Sequence, residues 1–470
     1  MIPRYRFEQT AMAAELIERF AHLEAGEESG EIVAVAGRVM LLRTQGKLAF
    51  GTLRDSSAEV QLFALAAVTE SFDEFIKLNL GDWVGARGEV VRTKRGELSV
   101  KVASYERLAE TRHGFGDKWH GVSDPDIRYR QREVDLWANP ESRSRLMARS
   151  AVVRSLRERL WALGFVEVET PVLNAIPGGA AARPFVTHHN ALDADFYLRI
   201  ATELHLKRLV VGGFERVFEL GRLFRNEGIS PRHNPEFTTV EAYAAYLDGE
   251  DMMDLLEELV SGVVTDVTGS STIPYQGETL VMAAPWRRVS MADLVSEQVG
   301  RPVSVNTDRD ELAALLAEKG GPEVQASWGA GKILNELFEH LAEASLIQPT
   351  FVTDYPVEVS PLARRHRSDP ELTERFEAFA YGRELINGFS ELTDPDDQRE
   401  RFEAQAAAHA AGDDEAMLVD EEFLRALEHG LPPTAGMGLG VDRLAMLVAD
   451  VANIREVIAF PTLRPEPRQA

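Results

Sequence analysis

Two separated stretches of the chain place arginines where they could hold a nucleoside triphosphate. Residues 216–241 read RVFELGRLFRNEGISPRHNPEFTTVE, and residues 436–443 read GMGLGVDR. A guanidinium such as that of Arg225 donates paired, planar hydrogen bonds, so it can bring two anions together. The alternating glycines before Arg443 have no side chains and could leave space for a base beside that arginine. A guanidinium stacks well on the π system of a base. Both stretches suit chemistry at a phosphate, which mainly needs positioning and charge stabilisation.

A third stretch, residues 376–392, is acidic and reads FEAFAYGRELINGFSEL. Glu377 and Glu384 offer hard carboxylate oxygens of the kind that hold Mg²⁺ together with phosphate oxygens. Either residue taken alone would more commonly be a salt-bridged surface group.

The spacing of further acidic residues indicates a pocket for a cation. Glu241 and Tyr243 leave the first stretch as E-A-Y, and Glu391 ends the third stretch. If these side chains share one pocket, the two buried carboxylates repel each other unless a counter-ion enters. The pocket would then favour a cation on an apolar stem, as in the side chain of lysine.

Together the first two stretches resemble motifs 2 and 3 of the class II aminoacyl-tRNA synthetases, and the surrounding blocks resemble the lysyl-tRNA synthetases of that class. The resemblance covers residues 4–465. It implies an α+β fold with a six- or seven-stranded antiparallel sheet flanked by helices, behind an N-terminal five-stranded OB-fold barrel. It also implies ATP-dependent activation of L-lysine to lysyl-adenylate, with Mg²⁺, and transfer to the 3′ end of tRNA(Lys).

The resemblance assigns the nucleotide site residue by residue. Arg225 and Arg443 would be catalytic, with Arg225 bridging the substrate carboxylate and the α-phosphate. Phe237 and Arg443 would cover the two faces of adenine, and Glu377 and Glu384 would hold the metal. The residues implied to bind ATP are Arg225, Glu227, Arg232, His233, Asn234, Phe237, Glu377 and Arg443.

The same resemblance assigns the amino-acid site. Glu203 would accept a hydrogen bond from the α-amino group, although an isolated glutamate would more commonly be a solvated surface charge. Asn387 would help Arg225 to orient the carboxylate, and Glu391 would pair with the ε-ammonium. The residues implied to bind lysine are Gly179, Glu203, Arg225, Glu241, Tyr243, Asn387, Glu391 and Gly438.

Short strands with turn residues between them fill residues 30–110. The predicted strands are Ile32–Met40, 47–54, Glu59–Phe63, 83–93 and Glu97–Leu108, with a helix over Glu70–Leu80. Five strands with a helix between the third and fourth are typical of an OB barrel, which binds unpaired bases on an exposed face.

Blocks in this region resemble the anticodon-binding domain of the lysine enzymes. That resemblance implies that Phe50 stacks on an anticodon base and that Gln61 hydrogen-bonds a base edge, with Arg38 and Glu97 nearby. From the residue types alone, Phe50 is more commonly a core aromatic. The interpretation as a stacking residue therefore depends on its place in the matched block.

The predicted domains are an N-terminal helix and OB fold over 1–110, a linker and hinge over 111–136, and a catalytic domain over 137–470. Residues 290–348 form a helical insertion, to which we assign no chemistry. The apolar stripe of 146–163 and the strand 165–170 resemble motif 1, which implies a homodimer. An ordinary helix–strand unit is the alternative.

Composition sets outer bounds. The 470 residues are 44% hydrophobic and include no cysteine, which excludes disulfides and thiolate zinc sites. No apolar run approaches the ~18 residues of a membrane helix, and the first ten residues lack the apolar core of a signal peptide, so we expect a cytoplasmic protein. The net charge of −25 is unusual for a nucleic-acid binder, but phosphate binding needs only a local basic patch.

Two other functions fit parts of this pattern. One is a lysine-adenylating enzyme that acts on a non-tRNA acceptor, and the other is a non-catalytic regulatory paralogue. The OB-like region favours tRNA over a protein acceptor. The presence of Arg225, Glu377, Glu384 and Arg443 favours a working enzyme.

Overall fold

The computed structural model describes residues 5–113, 122–410, 412 and 416–466. The chain divides into two compact units, one with Met1–Arg128 and Glu133–Ala138, the other with Tyr129–Arg132 and Asn139–Ala470. Part of the predicted linker, residues 114–121, lies outside the described residues.

The first unit is built around a closed barrel, which confirms the predicted five-stranded OB fold. Its strands are ordered β1-β2-β3-β5-β4 around the ring, with β3 and β5 parallel and the other pairs antiparallel. Alternate residues fill the interior, because successive side chains of a strand point to opposite faces. The elements are α1 (Ala13–Arg19), β1 (Glu28–Gln45), β2 (Leu48–Arg54), β3 (Glu59–Leu65), α2 (Phe72–Phe75), β4 (Trp83–Arg92) and β5 (Leu98–Ala109).

The helix predicted over Glu70–Leu80 is wrong in length. Helix α2 spans one turn, and beyond it the amides of Lys77 and Leu78 bond three residues back, as in a 3₁₀ turn. Phe72, Phe75 and Leu78 are all buried in the barrel core. Their spacing of three residues fits the tighter turn, which lets each apolar side chain face the same core.

The second unit contains the larger sheet. The short helices α3 (Pro125–Arg130) and α4 (Arg132–Ala138) are divided between the two units. The elements that follow them belong to the second unit and are α5 (Pro140–Ala162), β6 (Val166–Glu167), β7 (Leu173–Asn174), β8 (Val186–His189), β9 (Ala194–Leu198), α6 (Glu203–Val211), β10 (Arg216–Phe224), β11 (Glu236–Ala245), α7 (Gly249–Thr268), β12 (Thr272–Tyr275), β13 (Glu278–Val281) and β14 (Arg287–Ser290). The hairpin of β10 and β11 confirms the one predicted around the first arginine-bearing stretch.

The remaining elements complete the sheet and its cover. They are α8 (Met291–Val299), α9 (Arg309–Glu318), α10 (Ala330–Leu341), β15 (Thr350–Thr353), β16 (Arg375–Phe379), β17 (Glu384–Ser390), α11 (Pro395–Ala410), α12 (Glu421–Glu428), β18 (Thr434–Gly440) and α13 (Val441–Val448). One-turn 3₁₀ helices lie at Glu343–Ser345, Val357–Val359 and Ile454–Glu456. Helices α8 to α10 share a core of their own, which includes Leu312, Leu316 and Leu337.

The expected six- or seven-stranded antiparallel sheet needs correction. Among the described residues the sheet has eight strands in the order β14-β15-β16-β17-β18-β11-β10-β6. Its two edge pairs, β14 with β15 and β10 with β6, are parallel. Parallel neighbours require a long crossover, and the chain between β14 and β15 provides one through α8, α9 and α10.

The two faces of the central strands have different roles. Even-numbered residues of β11, Val240, Ala242 and Ala244, pack in the core with α5, α7 and α13. The intervening Glu241 and Tyr243 face the other side, because side chains alternate along a strand. This second face forms the floor of the first cavity described below.

Candidate active site

A cavity of about 390 Å³ lies over the second face of β16, β17, β18 and β11. Strand β18 contributes Gly436, Gly438 and Gly440 to that face, while the residues between them join the core. A Cβ atom at Gly436 would collide with Glu391 Oε1 and the Tyr243 ring. The predicted residues that line the cavity are Gly179, Glu203, Arg225, Glu227, Arg232, His233, Asn234, Phe237, Glu241, Tyr243, Glu377, Glu384, Asn387, Gly438 and Arg443.

Arg225 stands just beyond the end of β10 with its charge unpaired among the described residues. Its backbone amide bonds Pro235 O at 2.8 Å, which anchors the base of the hairpin loop. Its Cζ atom lies 5.2 Å from the centroid of the Phe237 ring. Its Nε is buried without a hydrogen-bond partner. Since buried donors are normally paired, this guanidinium is arranged to receive an anionic ligand.

The loop between β10 and β11 is held by local hydrogen bonds. His233 Nδ1 lies 3.0 Å from Ser230 Oγ. Burial, followed by the charge of Arg443, lowers the pKa of His233, so the ring is neutral near pH 7. Asn234 Nδ2 donates to Glu236 O at 2.6 Å, and Asn234 Oδ1 accepts from Thr462 N at 3.1 Å. Asn234 therefore shapes this loop as well as facing the cavity.

Carboxylates and arginines alternate at the other end of the cavity. Arg443 Nη1 donates to Glu384 Oε2 at 3.0 Å. Although burial opposes ionisation of Glu384, the nearby arginines, Arg443 above all, hold its pKa below the usual value. Glu377 accepts from Arg375 Nη2 at 2.6 Å and from Tyr355 Oη at 2.8 Å. Burial raises the pKa of Glu377 to about 7.

The donor chemistry of this end fits a magnesium ion shared with phosphates. The described residues contain no group of three or more side chains that could hold a metal alone. Glu377 and Glu384 nevertheless line the same cavity from neighbouring strands. Two carboxylates supply only part of the oxygen ligands of a Mg²⁺ ion, so phosphate oxygens would supply others. Mg²⁺ is usually held in this way.

Asn387 is oriented by a residue that the sequence analysis missed. Arg375 Nε donates to Asn387 Oδ1 at 3.0 Å, so the amide NH₂ group remains available to donate to a carboxylate. Phe389, also missed, lines the cavity two residues further along β17. Strand periodicity could have found both, since Arg375 shares a face with Glu377, and Phe389 lies between Asn387 and Glu391 in alternation.

The acidic pocket forms at the end of the cavity near α6. Glu203, Glu241 and Tyr243 are buried and line the cavity. Both oxygens of Glu241 accept from Thr202 N at 3.2 Å. Burial, reinforced by the charge of Glu203, raises the pKa of Glu241 to about 7. Burial likewise holds the pKa of Tyr243 well above its usual value.

Glu391 lies behind the cavity wall and does not line it directly. It is 1% exposed, and it forms an ion pair with Lys207, a buried residue that the sequence analysis did not single out. Its Oε1 atom faces Gly436 beside the Tyr243 ring. The predicted contact between Glu391 and a ligand ammonium would therefore be made beside Gly436 and the Tyr243 ring.

Gly179 has a structural reason to be glycine. Its φ of +85° lies in the left-handed region, which favours a residue without Cβ. A Cβ atom there would lie 3.3 Å from Glu203 Cβ and 3.1 Å from Ala201 Cβ. The chain thus passes close to Glu203 and leaves its carboxylate accessible from the cavity.

Side chains from α10 and the turn after it line a second cavity of about 670 Å³. Lys332, Asn335, Glu339 and Glu343 contribute from this helical segment. The residues common to both cavities are Ala181, Arg232, His233, Arg375, Glu377, Glu384 and Arg443. The insertion, expected to carry no chemistry, therefore borders the end of the first cavity that contains Glu377, Glu384 and Arg443.

The barrel presents the predicted base-binding residues on its outer surface. Phe50 is half-buried there and stacks on Phe63, with ring centroids 5.1 Å apart. Ser99 Oγ donates to Gln61 Oε1 at 2.9 Å and contacts the Glu97 carbonyl at 3.2 Å. The amide NH₂ group of Gln61 remains available to a ligand. Phe50, Gln61 and Glu97 thus lie on one connected surface.

Arg38 lies toward one end of the same group of strands. It pairs in register with Arg54, four residues beyond Phe50, or roughly 13 Å along the strand. Its guanidinium lies 4.7 Å from the centroid of the Trp83 ring. Arg43, which the sequence analysis missed, is the cross-strand partner of Phe50 and so shares its face. The strand register, which the sequence alone does not give, identifies it.

The sequence matches two known family models. Residues 124–464 match the family described as "tRNA synthetases class II (D, K and N)". Residues 33–108 match the family described as "OB-fold nucleic acid binding domain". The first match covers the whole sheet and its cavity. The second covers β2, β3 and β4 and most of β1 and β5.

Curated relatives align over almost the entire chain. A Lysine–tRNA ligase of Synechococcus sp. (strain RCC307) is 55% identical over 465 residues, covering 98% of this chain and 93% of the relative. One of Trichormus variabilis (strain ATCC 29413 / PCC 7937) is 54% identical, covering 98% and 84%. One of Clostridium perfringens (strain SM101 / Type A) is 50% identical, covering 98% and 92%. The chain therefore belongs to the class II tRNA synthetases, in the lysine–tRNA ligase family.

Proposed function

We propose that the protein activates L-lysine with ATP to form lysyl-adenylate and transfers the lysyl group to the 3′ end of tRNA(Lys). The observation that supports this most directly is the unpaired Arg225, which stands in one cavity between an acidic pocket and an arginine-rich phosphate end. The relatives named Lysine–tRNA ligase support the same reaction.

Lysine occupies the acidic end in this proposal. Its α-ammonium contacts Glu203, and its ε-ammonium points to the corner formed by Glu241, Tyr243 and Glu391. Phe389 packs against the aliphatic stem, since its ring lines the same cavity. The carboxylate meets Arg225 and the free NH₂ group of the Asn387 amide, a geometry that the bond from Arg375 maintains.

ATP occupies the other end. Its adenine lies between Phe237 and Arg443, with Glu227 and Asn234 as polar contacts, and its outer phosphates reach the cationic side chain of Arg232 and the neutral His233. Glu377 and Glu384 would hold Mg²⁺. When bound, the metal neutralises charge on the phosphates, which leaves positioning and the remaining charge to the protein.

The reaction needs little proton transfer from the protein. A lysine carboxylate is already ionised near neutral pH, so the activation step requires no general base. The carboxylate oxygen attacks the α-phosphorus and pyrophosphate leaves. Arg225 contacts both reacting anions and holds the developing charge with donors already in place. The alternating glycines of β18 have no side chains, so they leave space in the cavity for the reacting carboxylate and phosphate.

Two assays separate this function from its alternatives. Lysine-dependent exchange of pyrophosphate into ATP measures activation, and acceptance of labelled lysine by tRNA(Lys) measures transfer. We expect both. Exchange without tRNA charging would indicate a non-tRNA acceptor, and the absence of exchange would indicate a non-catalytic protein.

We also propose that the enzyme is located in the cytoplasm, where its proposed substrates ATP and tRNA are found.

The barrel is proposed to bind the anticodon through Phe50, and Phe50→Ala tests this role. The variant should lose roughly 1–3 kcal/mol of base stacking, which raises the KM for tRNA. Lysine-dependent pyrophosphate exchange without tRNA should stay at the parent rate. Phe50→Tyr keeps an aromatic face and should charge tRNA nearly as well as the parent. Equal losses in both assays would mean that Phe50 only supports the fold.

We further propose that the enzyme is a homodimer through the region of α5 to β9. Large hydrophobic side chains are exposed along this region, and such patches commonly mark an interface. These residues are Met147, Trp161, Leu163, Val166, Val172, Leu173, Ile176, Val186 and Leu192. A two-fold interface would bury the same patch on both copies.

Sedimentation at micromolar concentration should give twice the chain mass of 52.2 kDa. Leu173→Arg should shift the protein to the mass of one chain, because it puts a charge in the proposed interface. Val281→Arg is the matched control, since Val281 is 49% exposed against 47% for Leu173 but lies outside the patch. A monomeric parent that charges tRNA would refute the dimer.

A further inference from the structure

Lys207 is a buried cation to which the proposed reaction assigns no role. It lies on α6 one turn after Glu203, and it is 0% exposed. Its Nζ donates to Glu203 Oε1 at 2.5 Å and forms an ion pair with Glu391. The ring centroids of Phe389 and Phe423 lie 5.3 Å and 5.8 Å from Nζ. One ammonium therefore joins the two carboxylates that are proposed to receive the two amino groups of lysine.

Stability alone does not account for this arrangement. Taking three charged groups out of water is unfavourable, and apolar residues of similar volume often replace buried ion pairs without loss of stability. The site already has apolar neighbours on two sides in Phe389 and Phe423. The position of Lys207 within the pocket suggests that its role lies in ligand binding.

Lys207 uses only part of each carboxylate. It contacts one oxygen of Glu203, and the second oxygen of Glu203 makes no hydrogen bond among the described residues. It contacts Oε2 of Glu391, and neither oxygen of Glu391 has a well-directed hydrogen bond to a described residue. Glu391 Oε1 faces Gly436, which lines the cavity. Each carboxylate thus retains an acceptor for a ligand.

The charges of the empty pocket and of lysine are complementary. Arg375 and Glu377 also line the cavity, but they form an ion pair and balance each other. With its carboxylates ionised, the rest of the pocket carries three negative charges, on Glu203, Glu241 and Glu391, and two positive charges, on Lys207 and Arg225. Its excess of one negative charge matches free lysine, which carries one net positive charge near neutral pH. Without Lys207 the excess would be two, and a buried carboxylate would retain a proton.

The electrostatic surroundings agree with this account. Burial opposes the charged form of Lys207, but Glu203 and Glu391 raise its pKa, so it remains an ammonium at neutral pH. Burial raises the pKa of both glutamates, and Lys207 opposes that rise.

The groups that face this triad come from several elements. Strand β11 provides Glu241 and Tyr243, and β16 provides Arg375. Helix α12 provides the Phe423 ring, while its Glu422 pairs with Arg208 on the outside of α6.

We propose that Lys207 is a positioning residue that fixes the spacing and the ionised state of Glu203 and Glu391, and thereby the length of the diamino acid that the pocket accepts. Lys207 acts through these glutamates and does not touch the reacting atoms. The inference rests on the lysine pocket assigned under the proposed function.

Lys207→Met tests this role, because methionine has a similar shape without the charge. The kcat/KM for lysine in pyrophosphate exchange should fall by roughly 10²-fold, mainly through KM, while the KM for ATP stays within about twofold. Discrimination against ornithine should also fall, since the two carboxylates lose their fixed spacing.

The pH profile separates this role from support of the fold. Removing the cation raises the pKa of the neighbouring carboxylates, and lysine binding needs them ionised. The acidic limb of kcat/KM for lysine should therefore move to higher pH in Lys207→Met. Lys207→Arg keeps the charge and should keep the limb near its parent position.

A double variant covers the case in which the single variant fails to fold. Lys207→Met with Glu391→Gln removes both charges of one pair, so it should recover the melting temperature. Its kcat/KM for lysine should still lie below that of Glu391→Gln alone, with the acidic limb at higher pH, because Glu203 has also lost its cation. A double variant equal to Glu391→Gln in both values would show a purely structural role and overturn the proposal. So would a Lys207→Met protein with lysine kcat/KM within about threefold of the parent and an unmoved acidic limb.

Failure of the pocket itself has a different signature. Glu203→Gln and Glu391→Gln should each raise the KM for lysine. If both variants kept the parent KM, the assigned pocket would be wrong whatever Lys207 does. If both lost lysine binding while Lys207→Met kept it, the pocket would stand and only the role of Lys207 would fall.

Discussion

Arg225→Lys should lower the rate of lysine-dependent pyrophosphate exchange by at least ~10²-fold. The substitution keeps the positive charge but removes the fork of donors that contacts the substrate carboxylate and the α-phosphate together. The guanidinium lies 5.2 Å from the centroid of the Phe237 ring, and its buried Nε has no hydrogen-bond partner among the described residues, so its donors are available to a ligand. A lysine ammonium could reach only one anion with good geometry.

Arg222→Lys is the matched control. Arg222 lies on β10, three residues before Arg225, is half-exposed and pairs with Glu236, outside the cavity. We expect near-parent exchange from it, since exposed ion pairs contribute little to stability. Rapid-quench measurement of adenylate formation would show that the loss in Arg225→Lys lies in the chemical step. Near-normal exchange in that variant would refute the assignment.

Glu391→Gln should lower kcat/KM for lysine by roughly 10²–10³-fold, because removal of one partner from a buried ion pair costs about 3–5 kcal/mol. The variant removes the charge that faces both the ligand corner and Lys207. The KM for ATP should barely change, since Glu391 lies at the amino-acid end. Steady-state exchange at varied lysine and varied ATP separates the two effects.

Glu257→Gln controls for the cost of altering any buried glutamate. Glu257 is buried, lies 3.5 Å from Arg288 and accepts from Trp286 N at 2.8 Å, away from the cavity. It should keep the parent KM for lysine. If Glu391→Gln used lysine as well as this control does, the acidic corner would not select the ε-ammonium.

The parent enzyme should also discriminate by side-chain length. Ornithine is one methylene shorter, and its ammonium cannot reach the corner while its α-amino group contacts Glu203. We expect a loss of roughly 1–3 kcal/mol or more relative to lysine. Arginine and aspartate should be poorer still. A parent that preferred any of these would overturn the lysine pocket without affecting the class II fold.

Local patterns in the sequence predicted much of the fold. Alternation and turn residues predicted the barrel strands and the β10–β11 hairpin, because each depends on neighbours in the chain. The parallel edge pairs and the eighth strand were not predicted. They depend on contacts across the chain from β14 to β15 and from β6 to β10, and β6 is only two residues long.

The sequence predicted the site residues that lie within recognisable motifs and missed those that lie outside them. Residues within conspicuous motifs, such as Arg225 and Asn387, line one cavity as expected. Lys207 was missed because an isolated lysine on a helix is usually a solvated charge, and only the fold shows that it is buried between Glu203 and Glu391. Arg43 was missed for a similar reason, since its place beside Phe50 depends on strand register.

The two-sided use of β11 limits how this enzyme can change. A deletion of one residue within the strand would turn Val240 and Ala242 toward the ligand and Glu241 and Tyr243 into the apolar core. Such a deletion would abolish catalysis and folding together, because the same strand supports both. The strand can therefore diverge by substitution at alternate positions but not in length.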